Sequence, residues 1–384
     1  MTDHRTPEPE PLFLDRGAVP NGWTGGQYSL YRALLAVGFL FVILFVAPVP
    51  DSCTPRELAW WEAPLEMGVE LRIALGLLAV LIAVGWLDRA AALIAALFVA
   101  SVAIDYQWRV YLILLIAHAS SRGRPFGSLA AVGRVDPGGG WRRADWNLAL
   151  ACTPTLWWMS ASLVVVFTRL FHLDVPVSAP AILLTLCLVF LLTKSAFFQR
   201  AFWLFWLLYG SAALWTSFFL DDGPSVMLFT LFVMTVAAFD PPLIPRRRSE
   251  EPEVLYYDGD CGFCHRAVRF LLAEDRGGKG FRFAALQSDH FAEHVSEAER
   301  AGLADSVLVR TADGRLLQRS EAAVHVLLAL GGLWRVIGTL LWTIPRPLRD
   351  FAYDGVARVR KRLFRAPEGL CPLIPAELGA RFLA

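Results

Sequence analysis

The sequence contains little charge for its length of 384 residues. Charged residues make up 18% of the chain and hydrophobic residues 56%, whereas about a quarter of a typical soluble domain is charged. The charges are sparse between residues 28 and 240 and dense after them. This change in composition predicts a membrane part followed by a soluble C-terminal part. The net charge of +1, without a basic stripe interleaved with aromatic residues, predicts no nucleic-acid partner.

Cysteine is scarce as well, and its spacing is more informative than its number. The six cysteines are Cys53, Cys152, Cys187, Cys261, Cys264 and Cys371. So few cysteines in so long a chain argue against a fold held together by disulfides. Cys152 and Cys187 fall within apolar runs, where a thiol usually packs inertly. Cys261 and Cys264 form the closely spaced pair, and they are therefore the candidate reactive thiols.

The beginning of the chain lacks the pattern of a signal peptide, because its first 27 residues are polar and rich in proline. We therefore expect a polar N-terminal tail over 1–27 and a retained first membrane span. A membrane helix needs about 17–25 mainly apolar residues. The candidate runs lie near residues 29–47, 71–87, 89–105, 108–121, 153–172, 179–194, 199–220 and 224–240. They predict a multi-span α-helical transmembrane domain of about eight spans over 28–245.

The charges of the connecting loops predict an orientation. Arginines are concentrated in the loop over 122–143 and again at 246–248, whereas the loops at 171–180 and 220–225 contain no Lys or Arg. Cytoplasmic loops of membrane proteins are enriched in these residues. We therefore expect an integral protein of the cell inner membrane with both termini in the cytoplasm.

The membrane part also resembles a known family. Its span layout, its aromatic-rich later helices and the closing "AAFDPPLIP" resemble the horizontally transferred transmembrane (HTTM) domain, whose members are bacterial relatives of the vitamin K-dependent carboxylase membrane region. The resemblance covers about residues 28–245. No carboxylase motif matches a position here, so the resemblance implies no catalytic residue. Ionisable groups are costly in hydrocarbon, and His118 is one of several near the predicted spans that are candidates for function.

A charged linker over 246–253 leads to a C-terminal domain over 254–384 that alternates strands and helices. Strands are predicted at 254–257 and 281–286, helices at 262–273 and 288–302, a hairpin at 306–320 with Asp313 and Gly314 in its turn, and a third helix after it. This β-α-β-α-β-β-α order is that of thioredoxin. We therefore predict an α/β thioredoxin-like domain.

The cysteine pair lies in "YYDGDCGFCHRAVRFLL", between the first predicted strand and the first predicted helix. The N-terminus of a helix has unpaired N–H groups and carries about half a positive charge, which stabilises a thiolate. Cys261 is therefore expected to be an exposed nucleophile, and Cys264, one turn further on and facing inward, the resolving thiol. The residues between them carry no charge, so further tuning is expected from Asp258 or His265.

This stretch resembles the DCC family of thiol–disulfide oxidoreductases, whose opening motif is Tyr-Asp-Gly-x-Cys-x-x-Cys. The matching positions are Tyr257, Asp258, Gly259, Cys261 and Cys264. The segments "RSEAAVHVLLAL", "IPRPLRDFAYDGVARVRKRLF" and "CPLIPAELGARFL" are also similar to that family, so the resemblance covers about 254–383. It implies a thioredoxin-like fold and a membrane-anchored thiol–disulfide oxidoreductase that uses Cys261 and Cys264. Thioredoxins themselves carry a cis-proline before the third strand, whereas "LADSVLV" contains no proline here.

Other interpretations of these residues stay open. The cysteine pair is half of a zinc site if His290 and His294 complete it. Tyr257 is a core residue or a catalytic one, and Asp258 is a turn former or a proton shuttle. His265 either faces solvent or assists the thiolate. Cys371 is a third redox thiol or a buried residue.

The redox interpretation predicts no bound cofactor and no metal. The expected partners are a disulfide- or dithiol-bearing protein, a small thiol, and membrane lipid, and a quinone is a candidate carrier of electrons. Near the end of the chain, the basic helix predicted at 344–364 lies on anionic lipid or faces solvent. An alternative function is the maturation or export of a secreted peptide by the membrane part, with the dithiol as a redox sensor.

Overall fold

A computed structural model describes residues 22–45, 69–102, 106–139, 141–170, 172, 185, 224–239, 241–247, 251–275, 277–303, 306–363 and 376–383. Two compact units divide the chain. The helical unit takes residues 28–132 and 142–240, and the sheet unit takes residues 1–27, 133–141 and 241–384.

Six apolar α-helices are described in the helical unit, and the first turn of the first helix belongs to the sheet unit. They are α1 (Gly25–Phe45), α2 (Val69–Val84), α3 (Asp88–Val102), α4 (Tyr106–Ala119), α5 (Asp145–Leu170) and α6 (Pro224–Ala237). These helices lie at six of the eight predicted apolar runs. The runs at 179–194, apart from Thr185, and at 199–220 lie outside the described residues. Among the described helices, α1 alone is both long and apolar enough to cross a membrane, and the apolar helix Trp108–Ala119 is shorter. The number of spans therefore stays a prediction.

A five-stranded mixed sheet organises the sheet unit. Its strands are β1 (Glu253–Tyr257), β2 (Phe281–Ala285), β3 (Leu308–Arg310), β4 (Leu316–Gln318) and β5 (Phe382–Leu383). Their order is β4-β3-β1-β2-β5. β1 is parallel to β2 and antiparallel to β3, and β3 is antiparallel to β4. A parallel β-α-β unit followed by an antiparallel hairpin fits the predicted thioredoxin-like domain.

Seven α-helices are described in the sheet unit, and some of them pack on the two faces of the sheet. They are α7 (Gly262–Glu274), α8 (Asp289–His294), α9 (Glu297–Ala301), α10 (Arg319–Leu330), α11 (Gly332–Thr343), α12 (Arg346–Leu363) and α13 (Ala376–Gly379). In α7, the buried Cys264, Val268, Leu271 and Leu272 recur at helical spacing and pack in one cluster with Leu255 of β1. Tyr256 points to the opposite face, as alternation along a strand requires, and packs with Phe291 and Leu308.

The helix predicted over 288–302 is two helices in the structure. Ser288 caps the first by accepting a hydrogen bond from the Phe291 N–H. The chain then turns extended at Val295, and Ser296 begins α9 with a reciprocal capping box to Glu299. The second cap competes with continuation of the helix, and this accounts for the break.

The first turn of α1 belongs to the sheet unit, where the carboxylate of Glu274 holds it. Glu274 is the last residue of α7 and is 1% exposed. One of its oxygens accepts a hydrogen bond from the Gly26 N–H at 2.8 Å. The other accepts hydrogen bonds from the Thr24 hydroxyl and, at 2.5 Å, from the Trp334 indole N–H. A negative charge at a helix N-terminus is stabilising, so Glu274 fixes the point where α1 begins.

Candidate active site

Cys261 occupies the N-cap of α7, and Cys264 lies in the first turn of that helix. Cys261 has an extended backbone (φ −104°, ψ 111°), and its side chain makes no capping hydrogen bond. Its N–H donates to the Asp258 carbonyl at 3.2 Å, which closes a tight turn between β1 and α7. The pair therefore lies at the N-terminus of a helix, which is the position that the sequence predicted.

Both cysteines are held as thiols and both are buried. Cys261 is 1% exposed and Cys264 is 0% exposed, and both pack in the apolar cluster with Tyr257 and Val268. The inward position of Cys264 agrees with the sequence analysis, but the expected exposure of Cys261 does not. The difference arises from tertiary packing, because partly buried Phe263 also packs against this cluster.

Asp258 and Gly259 shape the loop that precedes the thiols. The Asp258 carboxylate is 8% exposed, and its Oδ1 accepts a hydrogen bond from the Asp260 N–H at 3.0 Å. The same oxygen accepts a second hydrogen bond from the side-chain amide of Gln287 at 3.2 Å. Asp258 thus acts as a turn former in this structure, one of the two roles that the sequence left open.

Gln287 is a residue of the site that the sequence analysis missed. Its Oε1 accepts a hydrogen bond from the Gly259 N–H at 3.1 Å, while its Nε2 donates to Asp258. Tyr257 is paired with Ala285 in the parallel register, so Gly259 and Gln287 each lie two residues beyond the paired ends. Carboxyl ends of adjacent parallel strands meet at one sheet edge. The position of Gln287 two residues after the second predicted strand is therefore the signal that could have identified it.

His265 is buried against the same loop and does not face solvent. Its Nε2 donates a hydrogen bond to the Gly259 carbonyl at 2.7 Å, and its ring packs edge-on against Tyr257 with centroids 5.5 Å apart. Tyr257 is itself 4% exposed. These contacts make His265 and Tyr257 supports for the loop between β1 and Cys261.

The sequence also left open a zinc site at the cysteine pair and a third redox thiol at Cys371. Within the described residues, no group of three or more His, Cys, Asp or Glu side chains could hold a metal ion. His290 and His294 stack on each other with centroids 4.0 Å apart, and the described residues thus do not complete a zinc site with the cysteine pair. Cys371 lies outside the described residues.

A second polar cluster lies in the helical unit, around His118. The His118 Nδ1 is 2.9 Å from the Tyr28 hydroxyl, and its Nε2 is 3.4 Å from a carboxylate oxygen of Asp88. Arg32, which is 1% exposed, lies 3.8 Å from the same Asp88 oxygen. Arg143 stacks over the Tyr28 ring at 5.6 Å. His118 was a predicted candidate, and its contacts join α1, α3 and α4.

A mixed sheet with a pair of cysteines at the N-terminus of the helix that follows its first strand fits a thioredoxin-like domain. Residues 255–366 match the family described as DCC1-like thiol-disulfide oxidoreductase. Bacillus subtilis YuxK, a protein of uncharacterised function, is 34% identical over 134 residues, which cover 34% of this chain and 93% of YuxK. The chain therefore belongs to the DCC1-like thiol-disulfide oxidoreductase family.

Similarity extends to a plant protein. The DCC family protein At1g52590, chloroplastic, of Arabidopsis thaliana is 29% identical over 111 residues, which cover 29% of this chain and 64% of that protein. No solved structure matches the chain. The fusion of a DCC1-like domain to an HTTM-like domain stays a prediction, because these matches concern the sheet unit.

Proposed function

We propose that the protein is a membrane-anchored thiol–disulfide oxidoreductase in which Cys261 is the nucleophile and Cys264 the resolving thiol. The observation that carries the proposal is the position of Cys261 at the N-cap of α7, with Cys264 in the following turn. Family membership supports the oxidoreductase activity. The assignment of the two roles rests on the geometry.

The proposed reaction has two exchange steps. The Cys261 thiolate attacks one sulfur of a substrate disulfide, forms a mixed disulfide and releases the first substrate thiolate, which takes up a proton from solvent. The Cys264 thiolate then attacks the Cys261 sulfur, breaks the mixed disulfide and releases the second substrate thiolate, which also takes up a proton from solvent. The substrate disulfide gains two electrons from the dithiol, the two protons of the dithiol pass to solvent, and the protein is left with a Cys261–Cys264 disulfide. The reverse sequence oxidises a substrate dithiol.

The loop contacts support the first step. Asp258, Gly259 and Gln287 form a closed set of hydrogen bonds, and His265 adds a bond to the Gly259 carbonyl. These bonds hold the backbone at Cys261 in one conformation, so the helix amides need no rearrangement to meet the negative charge. Since Cys261 is 1% exposed, exchange also requires the covering side chains to move when a partner binds.

The surface of the helical unit supports membrane anchoring. Ile73, Leu77 and Leu97 on α2 and α3 are 59%, 62% and 66% exposed. A soluble monomer rarely exposes apolar patches of this kind, whereas lipid solvates them. The proposed location is the inner membrane with the dithiol domain in the cytoplasm. A membrane-bound dithiol or disulfide protein, a small thiol, or a lipid-soluble carrier such as a quinone would then exchange electrons with it.

The proposal is tested by counting thiols in full-length protein in nanodiscs. The protein is equilibrated in redox buffers of defined potential, alkylated and weighed. We expect a reversible two-thiol step that Cys261→Ser and Cys264→Ser both abolish. Cys152→Ser is the matched control, because Cys152 is a buried thiol of the helical unit and its loss should leave the step intact.

Two results would contradict the dithiol proposal. One is the lack of any two-thiol step, and the other is a pair of thiols that stays blocked until a chelator is added. The order of attack has its own readout, because Cys264→Ser should accumulate a mixed disulfide on Cys261 and Cys261→Ser should not. Accumulation in the opposite variant would reverse the roles of the two thiols.

A further inference from the structure

The junction of α11 and α12 carries a group of large apolar side chains that are exposed. They are Leu340, Trp342, Ile344, Leu348 and Phe351, with exposed fractions between 40% and 73%. Five such side chains within twelve consecutive residues are more than the scattered apolar residues of an ordinary surface. We call this group the apolar corner. It lies within the DCC1-like domain but makes no part of the dithiol site.

The apolar corner continues along the outward face of α12. At 100° per residue, Leu348, Phe351, Val356 and Val359 fall on one side of the helix, and all four are exposed. The opposite side packs on the domain, where the Tyr353 hydroxyl accepts a hydrogen bond from the Val307 N–H at 3.1 Å. The face of α12 that points away from its own domain is therefore apolar, which is the reverse of a solvated surface helix.

The charge around this face has one dominant sign. Between Gly332 and Leu363 the sequence contains seven basic residues and two acidic ones. The two acids, Asp350 and Asp354, lie within ion-pair distance of Arg346 and Arg319, respectively. A basic amphipathic helix with aromatic and leucine side chains on its apolar face is typical of binding to an anionic membrane surface.

The apolar corner is also one helix away from the start of α1. The Leu333 N–H, in the first turn of α11, donates to the side-chain oxygen of Gln27 at 3.4 Å, and the Gly332 N–H donates to the Ile244 carbonyl at 2.8 Å. The segments before and after the helical unit thus meet at the N-terminus of α11. A helix of this length spans about 18 Å at 1.5 Å per residue. The C-terminal end of α11, where the corner begins, therefore lies about 20 Å from Gln27.

We propose that the apolar corner and the outward face of α12 dock on an anionic lipid bilayer, with Trp342 and Phe351 among the acyl chains near the headgroups and the flanking arginines on lipid phosphates. Trp at this depth is common in membrane proteins. Docking would hold the dithiol domain against the membrane surface by a contact additional to its covalent link. This inference rests on the proposed membrane anchoring, and the test separates the two.

The test uses a photoreactive phenylalanine analogue placed singly in the full chain, in nanodiscs of phosphatidylcholine with or without phosphatidylglycerol. Positions 342 and 351 report on the apolar corner. Position 97 on α3 reports on membrane anchoring, and position 315, an exposed arginine of the β3–β4 turn, is the aqueous control. We expect lipid adducts at 342, 351 and 97 to exceed those at 315 several-fold. At 351, the phosphatidylglycerol share of the adducts should exceed its mole fraction.

The other possible results would contradict the docking, the membrane anchoring or the choice of an anionic surface. Lipid adducts at 97 together with control-level adducts at 342 and 351 would overturn the docking and leave the anchoring intact. Control-level adducts at all positions would overturn both. Adducts of 351 with a second copy of the chain, in place of lipid, would assign the corner to a dimer interface and overturn the docking. Arg358→Gln, at an exposed position of α12, should lower the phosphatidylglycerol share at 351, and an unchanged share would overturn the choice of an anionic surface.

Discussion

The Gln287 side chain accepts a hydrogen bond from the backbone N–H of Gly259 at 3.1 Å, two residues before Cys261. Through its other atom, the same amide donates to the Asp258 carboxylate at 3.2 Å. A Cβ on residue 259 would lie 3.1 Å from Gln287 Oε1, so glycine allows this close approach. Gln287 thus holds the loop that places Cys261 at the helix N-terminus. It does so although it lies outside the family's opening motif.

We expect Gln287→Leu to slow alkylation of Cys261. The change removes two hydrogen bonds from the loop, each worth about 0.5–1.5 kcal/mol, so the loop should sample conformations that remove Cys261 from the α7 amides. Gln287→Glu should have the larger effect, because it keeps the acceptor for Gly259 but places a second carboxylate beside Asp258. The measurement is the rate of iodoacetamide labelling at Cys261 by peptide mass. Equal rates in all three proteins would remove Gln287 from the site.

Substitutions of His265 can distinguish two roles, which are holding the loop at Gly259 and acting as an acid or base on the Cys261 thiol. Its Nε2 donates to the Gly259 carbonyl at 2.7 Å, and a glutamine side chain can place its amide N–H at the same point. We expect His265→Gln to keep most of the labelling rate at Cys261, whereas His265→Leu should lose it, since Leu leaves that carbonyl without its donor. The full pH profile of labelling is the readout. A His265→Gln protein as slow as His265→Leu, with an altered pH profile, would show that the imidazole itself acts on the thiolate.

The first strand, the helix at the cysteines and the Asp313–Gly314 turn could be predicted because each has a local pattern. Gly314, for example, has φ +82°, a conformation that glycine adopts without strain. The break between α8 and α9 also had a local signal, because Ser296 and Glu299 have capping-box spacing.

The remaining features depend on contacts between distant parts of the chain. Gln287 meets Gly259 only once the β1–β2 register is known, and Cys261 is buried by packing that no local pattern encodes. The strand β5 has two residues, Phe382 and Leu383, too few for a periodicity to be detected. An ion pair between Arg381 and Asp275, which are distant in sequence, holds this strand in place.

Arg381, the residue before β5, is buried on Asp275. Its Nη2 lies 2.6 Å from the Asp275 Oδ2, and the Arg381 side chain is 3% exposed. We expect Arg381→Met to destabilise the sheet unit by up to about 3–5 kcal/mol. It removes the closer and more buried of the two cations beside the Asp275 carboxylate and leaves Arg246, whose Nη1 is 3.5 Å from Oδ1. The measurement is the denaturant midpoint of the full chain, with protection of the Phe283 N–H, which donates to the Arg381 carbonyl, as the local readout.

The control for this pair is the exposed ion pair of Arg315 and Asp313 in the hairpin turn. Arg315→Met should leave the midpoint nearly unchanged, since exposed ion pairs contribute little to stability. Adding Asp275→Asn to Arg381→Met should restore part of the loss, because the carboxylate charge is then removed together with its partner. Strict additivity of the two changes would contradict a direct charge interaction.

Asp350 gives a prediction on pH. Burial acts to raise the pKa of this carboxyl, but hydrogen bonding with Ser320 and the charges of Arg346 and Arg319 outweigh it, so the pKa lies below its usual range. A lowered carboxyl pKa stabilises the fold above the unfolded value of about 3.9, and this contribution is lost as the pH falls through the folded value. Asp350→Asn should therefore destabilise the packing of α12 on α10 at neutral pH and much less in acid.

The stability difference between the wild type and Asp350→Asn, measured by denaturation at pH 7 and pH 3, checks the prediction. It should be smaller at pH 3, because that pH lies below the unfolded value of about 3.9, where the contribution of a lowered carboxyl pKa has begun to be lost. Asp354→Asn is the matched control on the same helix, since Asp354 is half-exposed and pairs with Arg319 at the longer distance of 3.7 Å. A difference for Asp350→Asn that is equal at both pH values would mean that Ser320 holds the residue by shape and not by charge. The orientation of the apolar face of α12 would then be independent of pH, whereas a shrinking difference means that acid loosens the face proposed to meet the bilayer.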